Sequence, residues 1–224
     1  VHTPIQAANK YIDYFKQKAE RLDSTAIGAR QEHEGVSKII QDNAAYASMV
    51  SAMDEAVGKI RLKLQETGLD QNTYIIYTSD NGGLSTLHRR GYPTSNEPLR
   101  AGKGWCYEGG IRVPFILTGP GIVPGESGQP LTSMDIYPTL LELGGFELQS
   151  NQHQDGKSII GLLEKPELDR PLWWHYPHYH GSAWKPGAAI RKGSWKLIEF
   201  YEYEKVELYN LTQDLEEKND LSMS

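Results

Sequence analysis

The sequence has few cysteines, no long apolar run and no excess of positive charge, and each shortage excludes a class of protein. Cys106 is the only cysteine among 224 residues, so no internal disulfide can form. No apolar run approaches the ~20 residues that a helix needs to cross a bilayer, which predicts a chain without a membrane span. The net charge of −6 argues against binding to nucleic acid through bulk electrostatics.

The chain begins with Val1 rather than Met, and the segment His2-Thr3-Pro4 follows at once. Neither a signal peptide nor a preceding structural element fits before this segment. A trimmed natural N-terminus would also account for this start, but we expect the chain to be a fragment of a longer protein.

Helical periodicity is present in three segments, where apolar residues recur every three to four positions. The predicted helices cover Gln6–Leu22, Asn43–Gly68 and Ser133–Leu143. In the second helix, Asn43 can cap the first turn and Gly68 fits the stop. In the third, Pro138 inside the periodic window places the helix start near Tyr137.

Two short runs rich in β-branched and aromatic residues predict buried strands, at Tyr74–Tyr77 and Arg112–Thr118. Two polar segments predict loops. Asp23–Lys38 is expected to hold at most a turn of helix, and Leu84–Arg100, with its two prolines, is expected to be exposed.

The pattern changes near Lys165, after which aromatic residues crowd together. Loose alternation in Ala188–Tyr201 and in Val206–Leu211 predicts two or three antiparallel strands. The acidic tail, Gln213–Ser224, predicts a turn and a short helix.

Helix–strand alternation followed by hairpins predicts an α/β fold with a small C-terminal antiparallel sheet and a helix. We place a domain division after residue 164. Residues 1–164 would form an α/β portion, and residues 165–224 would form a small α+β subdomain.

Polar side chains follow the first predicted strand where that strand ends. Asp80 and Asn81 lie there, and ligands of open α/β sheets bind outside the carboxyl ends of strands. Carboxylate and amide oxygens suit Ca²⁺ or Mg²⁺. The sequence Asp-Asn-Gly-Gly is also favourable for a turn, so a purely structural role stays open.

Lys103 lies between Gly102 and Gly104, in a loop with so little side-chain bulk that an ammonium could approach an anion. The alternative is an ordinary solvated lysine. The segment is not a phosphate-binding P-loop, because the Ser or Thr after the lysine is missing.

Three histidines lie in an aromatic run, Trp-Trp-His-Tyr-Pro-His-Tyr-His, as His175, His178 and His180. They could pack, stack on a sugar ring or bind a metal.

Cys106 has no His or Cys partner at a spacing typical of metal sites, which favours a packed thiol. Glu108 and Arg112 flank a Gly-Gly pair, which favours a structural ion pair.

Six segments spread over nearly the whole chain carry a family resemblance. They are His2–Pro4, Asn43–Gly68, Thr78–Gly82, Gly102–Pro114, Ser133–Leu141 and Leu208–Asn219. Together they resemble the sulfatase family, the arylsulfatase-type sulfuric ester hydrolases of the alkaline phosphatase superfamily. The lysine segment, GKGWCYEGGIRVP, is the most specific of the six.

The resemblance does not extend to the family's nucleophile. That nucleophile is a formylglycine made from the Cys or Ser of a C/S-x-P-x-R motif, and no such motif occurs here. The family's first acidic pair is also absent. Both lie upstream of the histidine segment in family members, so the chain resembles the C-terminal half of a sulfatase, and we expect it to be inactive alone.

The resemblance implies roles for several residues. Asp80 and Asn81 would be ligands of Ca²⁺ or Mg²⁺, with upstream acids completing the site. Lys103 would neutralise the transferring sulfuryl group and the ester oxygen. His2 would donate a proton or hydrogen bond to the leaving alcohol.

Four further histidines would contact the substrate: His88, His175, His178 and His180. Family members act on sulfated glycans, steroids, lipids and aryl sulfates, and are often exported or lysosomal. The expected partner is therefore a sulfated small molecule or glycan. Two alternatives stay open, a phosphate or phosphonate ester hydrolase of the same superfamily and a non-catalytic carbohydrate-binding module.

Overall fold

The computed structural model describes residues 4–22, 28–89 and 92–223 and combines helices with small antiparallel sheets. The helices are α1 (Ile12–Ala19), α2 (Ala44–Glu66), α3 (Glu108–Ile111), α4 (Ile136–Leu143) and α5 (Ile159–Glu164). Short 3₁₀ turns cover Asp70–Asn72 and Ser133–Asp135. This mixture confirms the α/β class. No helix in the described ranges is long and apolar enough to cross a membrane.

The strands form three separate antiparallel sheets. The strands are β1 (Ala29–Glu32), β2 (Gly35–Lys38), β3 (Ile75–Tyr77), β4 (Thr86–Leu87), β5 (Ile116–Thr118), β6 (Leu172–Tyr176), β7 (Gly187–Lys192), β8 (Trp195–Phe200) and β9 (Lys205–Asn210). One sheet has the order β1-β2-β4, another pairs β3 with β5, and the C-terminal sheet has the order β6-β7-β8-β9.

The long predicted helix is confirmed as α2. Its Asn43 cap accepts a hydrogen bond from the Tyr46 N–H at 3.0 Å, which satisfies one free donor of the first turn. Gly68 follows the helix with φ +68, a left-handed conformation that a glycine adopts at low cost. The third helix starts at Ile136, next to the predicted start at Tyr137. The first is shorter than predicted, covering Ile12–Ala19.

The prediction of a loop over Asp23–Lys38 was wrong for the part that the structure describes. Residues 29–38 form a hairpin of β1 and β2 with a turn at His33 (φ +49). The strands escaped detection because their inward side chains are polar: Glu32 pairs with Arg100, and the hydroxyls of Ser37 and Thr86 lie 2.6 Å apart. Apolar alternation, the usual strand signal, is therefore missing.

The prediction that Leu84–Arg100 is exposed was also wrong for most of the part that the structure describes, although His88, Arg89, Glu97 and Pro98 are exposed. Its small polar side chains are buried, because hydrogen bonds to backbone and other hydroxyls offset the loss of water. Ser85 Oγ donates to Ala101 O at 2.7 Å, for example. The buried residues of this segment include Ser85, Thr86, Tyr92, Thr94 and Ser95.

The second predicted strand is shorter and less buried than expected. It covers Ile116–Thr118, and Ile116 is 56% exposed.

The predicted tail helix is replaced by turns as far as Met223, and the C-terminal sheet has four strands instead of two or three. The domain division after residue 164 stays a prediction.

The main apolar core lies between residues 101–107 and the inner face of the C-terminal sheet. Its members are distant in sequence but in mutual contact: Ala101, Trp105, Cys106, Tyr107, Ala183, Trp184, Ala189, Ile198, Phe200, Tyr209 and Leu211. Burial of this apolar surface is the main favourable term for holding the two segments together.

A buried ammonium crosses the same interface. Lys196 Nζ, on β8, lies 3.0 Å from Glu108 Oε1 and 2.8 Å from Glu217 Oε1, and all three side chains are almost fully buried. Glu217 Oε2 also accepts the Glu108 N–H at 2.7 Å. Burial favours a raised pKa for Glu108, but the charge and hydrogen bond of Lys196, together with the charges of Arg191 and Arg112, lower that pKa overall. Burial raises the pKa of Glu217.

The predicted ion pair between Glu108 and Arg112 is present at 3.3 Å. Because Arg112 is half-exposed and Lys196 is buried, the Lys196 contact is the stronger electrostatic partner of Glu108.

Replacement of Lys196 by Met should destabilise the protein by about 3–5 kcal/mol, because two buried carboxyl groups would lose their counter-charge. Urea unfolding of the full-length protein measures the change. Lys192→Met, at an exposed position of the neighbouring strand, is the matched control and should shift stability by about 0.5 kcal/mol or less. Equal losses in the two variants would contradict the expectation.

Candidate functional site

The candidate metal ligands lie on the loop that follows β3. Asp80 is exposed and Asn81 is half-buried. Asn81 Nδ2 donates to Asp80 Oδ1 at 2.9 Å, and Ser79 Oγ donates to the Asn81 carbonyl at 2.9 Å. These contacts hold the two ligand side chains together at the end of the strand.

The donor atoms that remain on this pair fit a hard cation. Within the described ranges, Asp80 Oδ2 and Asn81 Oδ1 have no hydrogen bond, and Asp80 has no ion pair. Carboxylate and amide oxygens suit Ca²⁺ or Mg²⁺. The same ranges hold no group of three or more His, Cys, Asp or Glu residues arranged for a metal, so this pair alone would supply only part of a coordination shell.

Backbone hydrogen bonds bring the lysine loop against this strand end. The Lys103 N–H donates to Gly83 O at 3.0 Å, and the Gly82 N–H donates to Gly110 O at 2.9 Å. The predicted metal ligands and the predicted sulfate-binding lysine therefore lie on adjacent loops. Lys103 itself is half-buried.

Glycine is required at this junction because backbones approach so closely. A Cβ on Gly82 would lie 1.7 Å from Gly109 O, and one on Gly102 would lie 2.2 Å from Gly83 O. Both distances are shorter than any real Cβ contact, so a side chain at either position would separate the loops.

Asn96 joins the two loops through its carboxamide. Its Oδ1 accepts the Gly83 N–H at 3.1 Å, and its Nδ2 donates to Gly83 O at 2.8 Å and to Ala101 O at 2.9 Å. Sequence reasoning missed this residue, because an Asn in a polar, proline-containing loop is an ordinary turn residue.

Of the predicted aromatic-run histidines, the structure brings His180 to the lysine loop. A Cβ on Gly104 would lie 2.1 Å from His180 Nδ1, so the ring lies directly on that glycine. Burial, and then the charge of Lys103, lower the pKa of His180, so the ring is neutral at pH 7. Its Nδ1 accepts the Ser182 N–H at 3.2 Å, which leaves the proton on Nε2.

The other two histidines of the run are exposed and lie apart from these loops. His175 is on β6, with its ring 6.3 Å from that of Tyr201, and His178 makes an edge contact with Tyr176 at 5.8 Å. No contact of either with Asp80, Asn81 or Lys103 is present in the described part of the chain.

His88 is exposed just after β4 and lies on the side of the β1–β2 turn. The pKa of Glu34 in that turn is lowered first by a hydrogen bond from Tyr203, and then by the charges of Lys185 and His88. Nothing in the described ranges brings His88 to Lys103. The predicted catalytic His2 lies outside the described residues.

Cys106 is a packed thiol, as predicted. It is 3% exposed, and burial raises its pKa to about 12. A thiol with such a pKa is almost wholly protonated at neutral pH and is a poor nucleophile.

Arg100 anchors the start of the lysine segment and was also missed from the sequence. Its Nε donates to both carboxylate oxygens of Glu32, at 2.9 and 3.0 Å, and its guanidinium lies 3.9 Å from the ring centre of Tyr107. Its Nη1 donates to Tyr209 Oη at 2.9 Å and to Glu217 O at 2.7 Å. These contacts satisfy the guanidinium of Arg100 and hold the start of the lysine segment against Glu32, Tyr107, Tyr209 and Glu217.

Comparison with protein-family models gives two matches. Residues 1–146 match the Sulfatase model, and residues 101–224 match the model described as N-sulphoglucosamine sulphohydrolase, C-terminal. The first match covers more than half of the chain.

Curated relatives agree with these models. The chain is 38% identical over 200 residues to a sulfatase of Formosa agariphila and 36% identical over 185 residues to the steryl-sulfatase of Rattus norvegicus. These alignments cover 80% and 79% of this chain, but only 35% and 31% of the two relatives. The chain thus spans about a third of the length of either protein.

Solved structures share the fold. Ps i-CgsB in complex with k-i-k-neocarrahexaose superposes with a TM-score of 0.74 at 31% identity, over 99% of this chain and 44% of that chain. A structure in complex with its substrate D-glucosamine-2-N,6-O-disulfate gives 0.63 at 28% identity, over 81% and 36%. A phosphonate monoester hydrolase of Silicibacter pomeroyi, at 0.53 and 21% identity over 75% and 34%, shows likeness of fold alone.

Replacement of Gly104 by Ala should disrupt the contact with His180. The backbone there has φ +84, and the added Cβ would collide with His180 Nδ1 and, at 2.6 Å, with Ser182 Oγ. Gly121 is a matched control, since its φ is +74 and a Cβ would meet nothing within 4 Å. Gly121→Ala should cost about 1–2 kcal/mol of unfolding free energy from backbone strain alone.

Gly104→Ala should cost more than this, because it adds a collision to the same strain. Thermal unfolding of both variants in the full-length protein measures the difference. Equal losses at the two glycines would show that His180 does not press on the lysine loop.

Proposed function

The chain belongs to the sulfatase family, and from that premise we propose that its parent protein hydrolyses sulfate esters, with Asp80, Asn81 and Lys103 in the active site. The observation that carries the proposal is the hydrogen bond from the Lys103 N–H to Gly83 O at 3.0 Å. It sets an ammonium-bearing loop beside a pair of hard oxygen ligands, as recognition of a metal-bound oxyanion requires. Sulfatase relatives support the reaction class.

We assign Asp80 and Asn81 as ligands of Ca²⁺, with Mg²⁺ as the alternative. Their free Oδ2 and Oδ1 atoms are hard donors. When bound, the cation supplies Lewis-acid polarisation of a sulfate oxygen. Asp80 is exposed and has no ion pair within the described ranges, so its free Oδ2 is accessible to an ion. Further acidic ligands would come from a part of the protein outside this sequence.

Lys103 is assigned to the sulfuryl group. Its ammonium would offset the negative charge on the sulfate and on the ester oxygen as that bond breaks, an interaction stronger in the transition state than in the ground state. Gly102 and Gly104 carry no side chains of their own, and the space beside them holds polar groups, Asn96 Nδ2 next to Gly102 and His180 Nδ1 next to Gly104. The nucleophile would come from outside the sequence, because a C/S-x-P-x-R motif is absent from it.

His2 is assigned to the leaving alcohol, as a donor of a proton or hydrogen bond. This role rests on its resemblance to the histidine segment of the family. The matched span of the sulfatase model, residues 1–146, includes it.

His180 would extend the site towards the remainder of the substrate. Its ring lies on Gly104, is neutral, and carries its proton on Nε2, so it can donate a hydrogen bond to a hydroxyl or sulfate oxygen. For His88, His175 and His178, contact with the substrate stays a prediction, because the described residues bring none of them to Lys103.

The proposed substrate is a sulfated glycan or a small sulfate ester. The support comes from relatives: one solved neighbour is in complex with k-i-k-neocarrahexaose, and another is in complex with D-glucosamine-2-N,6-O-disulfate. The exposed imidazoles and aromatic rings of residues 173–180 suit the faces of a sugar.

Lys103→Ala in the full-length protein should lower kcat/KM for an aryl sulfate by about 10²–10³, because one charged donor to the transition state would be lost. Lys165→Ala, which removes an exposed lysine at the end of α5, is the matched control and should leave turnover unchanged. Steady-state kinetics with a chromogenic aryl sulfate measures both. Sulfate-ester turnover that survives Lys103→Ala largely intact would refute the assigned site.

The 224-residue chain alone should hydrolyse no sulfate ester, because it carries no motif for the nucleophile. The measurement compares aryl sulfate turnover by the purified chain with turnover by the full-length protein at equal concentration. Turnover by the chain alone at a comparable rate would mean that the nucleophile lies among these residues.

A further inference from the structure

We propose that Asn96 is a positioning residue that fixes the metal-ligand loop, residues 80–83, against the lysine loop, residues 101–104. Its effect on catalysis rests on the function proposed above. The structural part of the proposal rests only on contacts within this chain.

The Asn96 carboxamide bonds to both loops at once. On the metal-ligand loop, it accepts the Gly83 N–H at 3.1 Å and donates to Gly83 O at 2.8 Å. On the lysine loop, it donates to Ala101 O at 2.9 Å, and it also lies 3.1 Å from Ser85 Oγ. These partners assign the orientation of the amide. Oδ1 faces the Gly83 N–H donor, whereas Nδ2 faces three acceptors, Gly83 O, Ala101 O and Ser85 Oγ.

These bonds are not those of a local turn. The backbone carbonyl of Asn96 closes a turn by accepting the Leu99 N–H at 2.9 Å, and that bond needs no particular side chain. The side chain instead reaches 13 residues back to Gly83 and five residues forward to Ala101. A residue that served only its own turn would not make these bonds.

Two neighbouring glycines leave the space that this amide occupies. A Cβ on Gly83 would lie 2.8 Å from Asn96 Oδ1, and a Cβ on Gly102 would lie 2.6 Å from Asn96 Nδ2. The side chain thus fills the space that two missing side chains leave between the loops.

One acceptor links Asn96 directly to the lysine. Gly83 O receives both the Asn96 Nδ2 bond at 2.8 Å and the Lys103 N–H at 3.0 Å. Loss of the Asn96 carboxamide would remove its bonds to Gly83 on the metal-ligand loop and its bond to Ala101 on the lysine loop. The distance from Asp80 and Asn81 to Lys103 would then depend on backbone contacts alone.

The test uses the full-length protein with Asn96→Ala and Asn96→Asp. The Ala variant removes all the bonds, and the Asp variant keeps the shape but places an anionic oxygen against Gly83 O and Ala101 O. Asn151→Ala, in an exposed turn where the side chain makes no hydrogen bond within the described ranges, is the matched control. If Asn96→Ala fails to fold, Asn96→Ser, whose hydroxyl can replace one bond, takes its place.

Two measurements are made on each variant, hydrogen–deuterium exchange by mass spectrometry and steady-state kinetics with an aryl sulfate. Both Asn96 variants should lose protection in peptides covering residues 80–85 and 101–105, with exchange in strands β6–β9 unchanged. Their kcat/KM should fall by about 100-fold, because a displacement of about 1 Å between reacting groups costs that much. The control should match the wild type in both.

A lower unfolding temperature with wild-type exchange in the two loops and wild-type kinetics at a temperature where the variants are folded would overturn the positioning role. So would loss of protection in one loop only. If the wild-type protein hydrolyses no sulfate ester, the proposed function fails, while the exchange data still support or overturn the role of Asn96 in joining the loops.

Discussion

The arrangement of this chain depends on the ionic contact between the Lys196 ammonium and two buried carboxylates. The ammonium lies between Glu108 and Glu217, within 3.0 Å of both carboxylates and away from water. Removing three ionisable groups from water is expensive, and it is tolerated because opposite charges and a backbone donor meet them in good geometry. Through this contact, a strand of the C-terminal sheet and the tail after that sheet hold the segment that carries Lys103.

A second constraint acts through the absence of side chains. Gly82, Gly83 and Gly102 let the end of β3 meet the lysine loop at backbone hydrogen-bond distance, and Asn96 occupies the space between them. The ionic contact sets where the lysine segment lies on the C-terminal sheet, whereas the glycines set how near it comes to Asp80 and Asn81. Both constraints are needed, because the candidate site contains groups from both loops.

Much of the fold could be predicted where apolar periodicity was strong. The helix α2, its Asn43 cap and the start of α4 were all found from spacing and capping. The strands of the β1–β2 hairpin could not be found, because Glu32 and Ser37 point inward and pair with partners far along the chain. Local sequence carries no information about such partners, and a buried polar strand therefore resembles a loop.

The same limit applies to the candidate site. Residue chemistry and neighbouring glycines indicated Asp80, Asn81 and Lys103, and family resemblance gave them roles. Asn96 and Arg100 carried no comparable signal, since their importance lies in contacts that only the folded chain creates. Among the histidines, the sequence could not separate His180, which lies on the lysine loop, from His175 and His178, which do not.

The position of the core determines when, during synthesis, the lysine loop can take its final place. Residues 101–107 have their apolar partners in the C-terminal sheet, and Arg100 and Glu108 bond to Glu217, near the far end of the sequence. During synthesis, the lysine loop emerges from the ribosome long before these supports exist. It can reach its final position only after the C-terminal sheet and tail have been translated, so non-local closure governs when this half of the site becomes ordered.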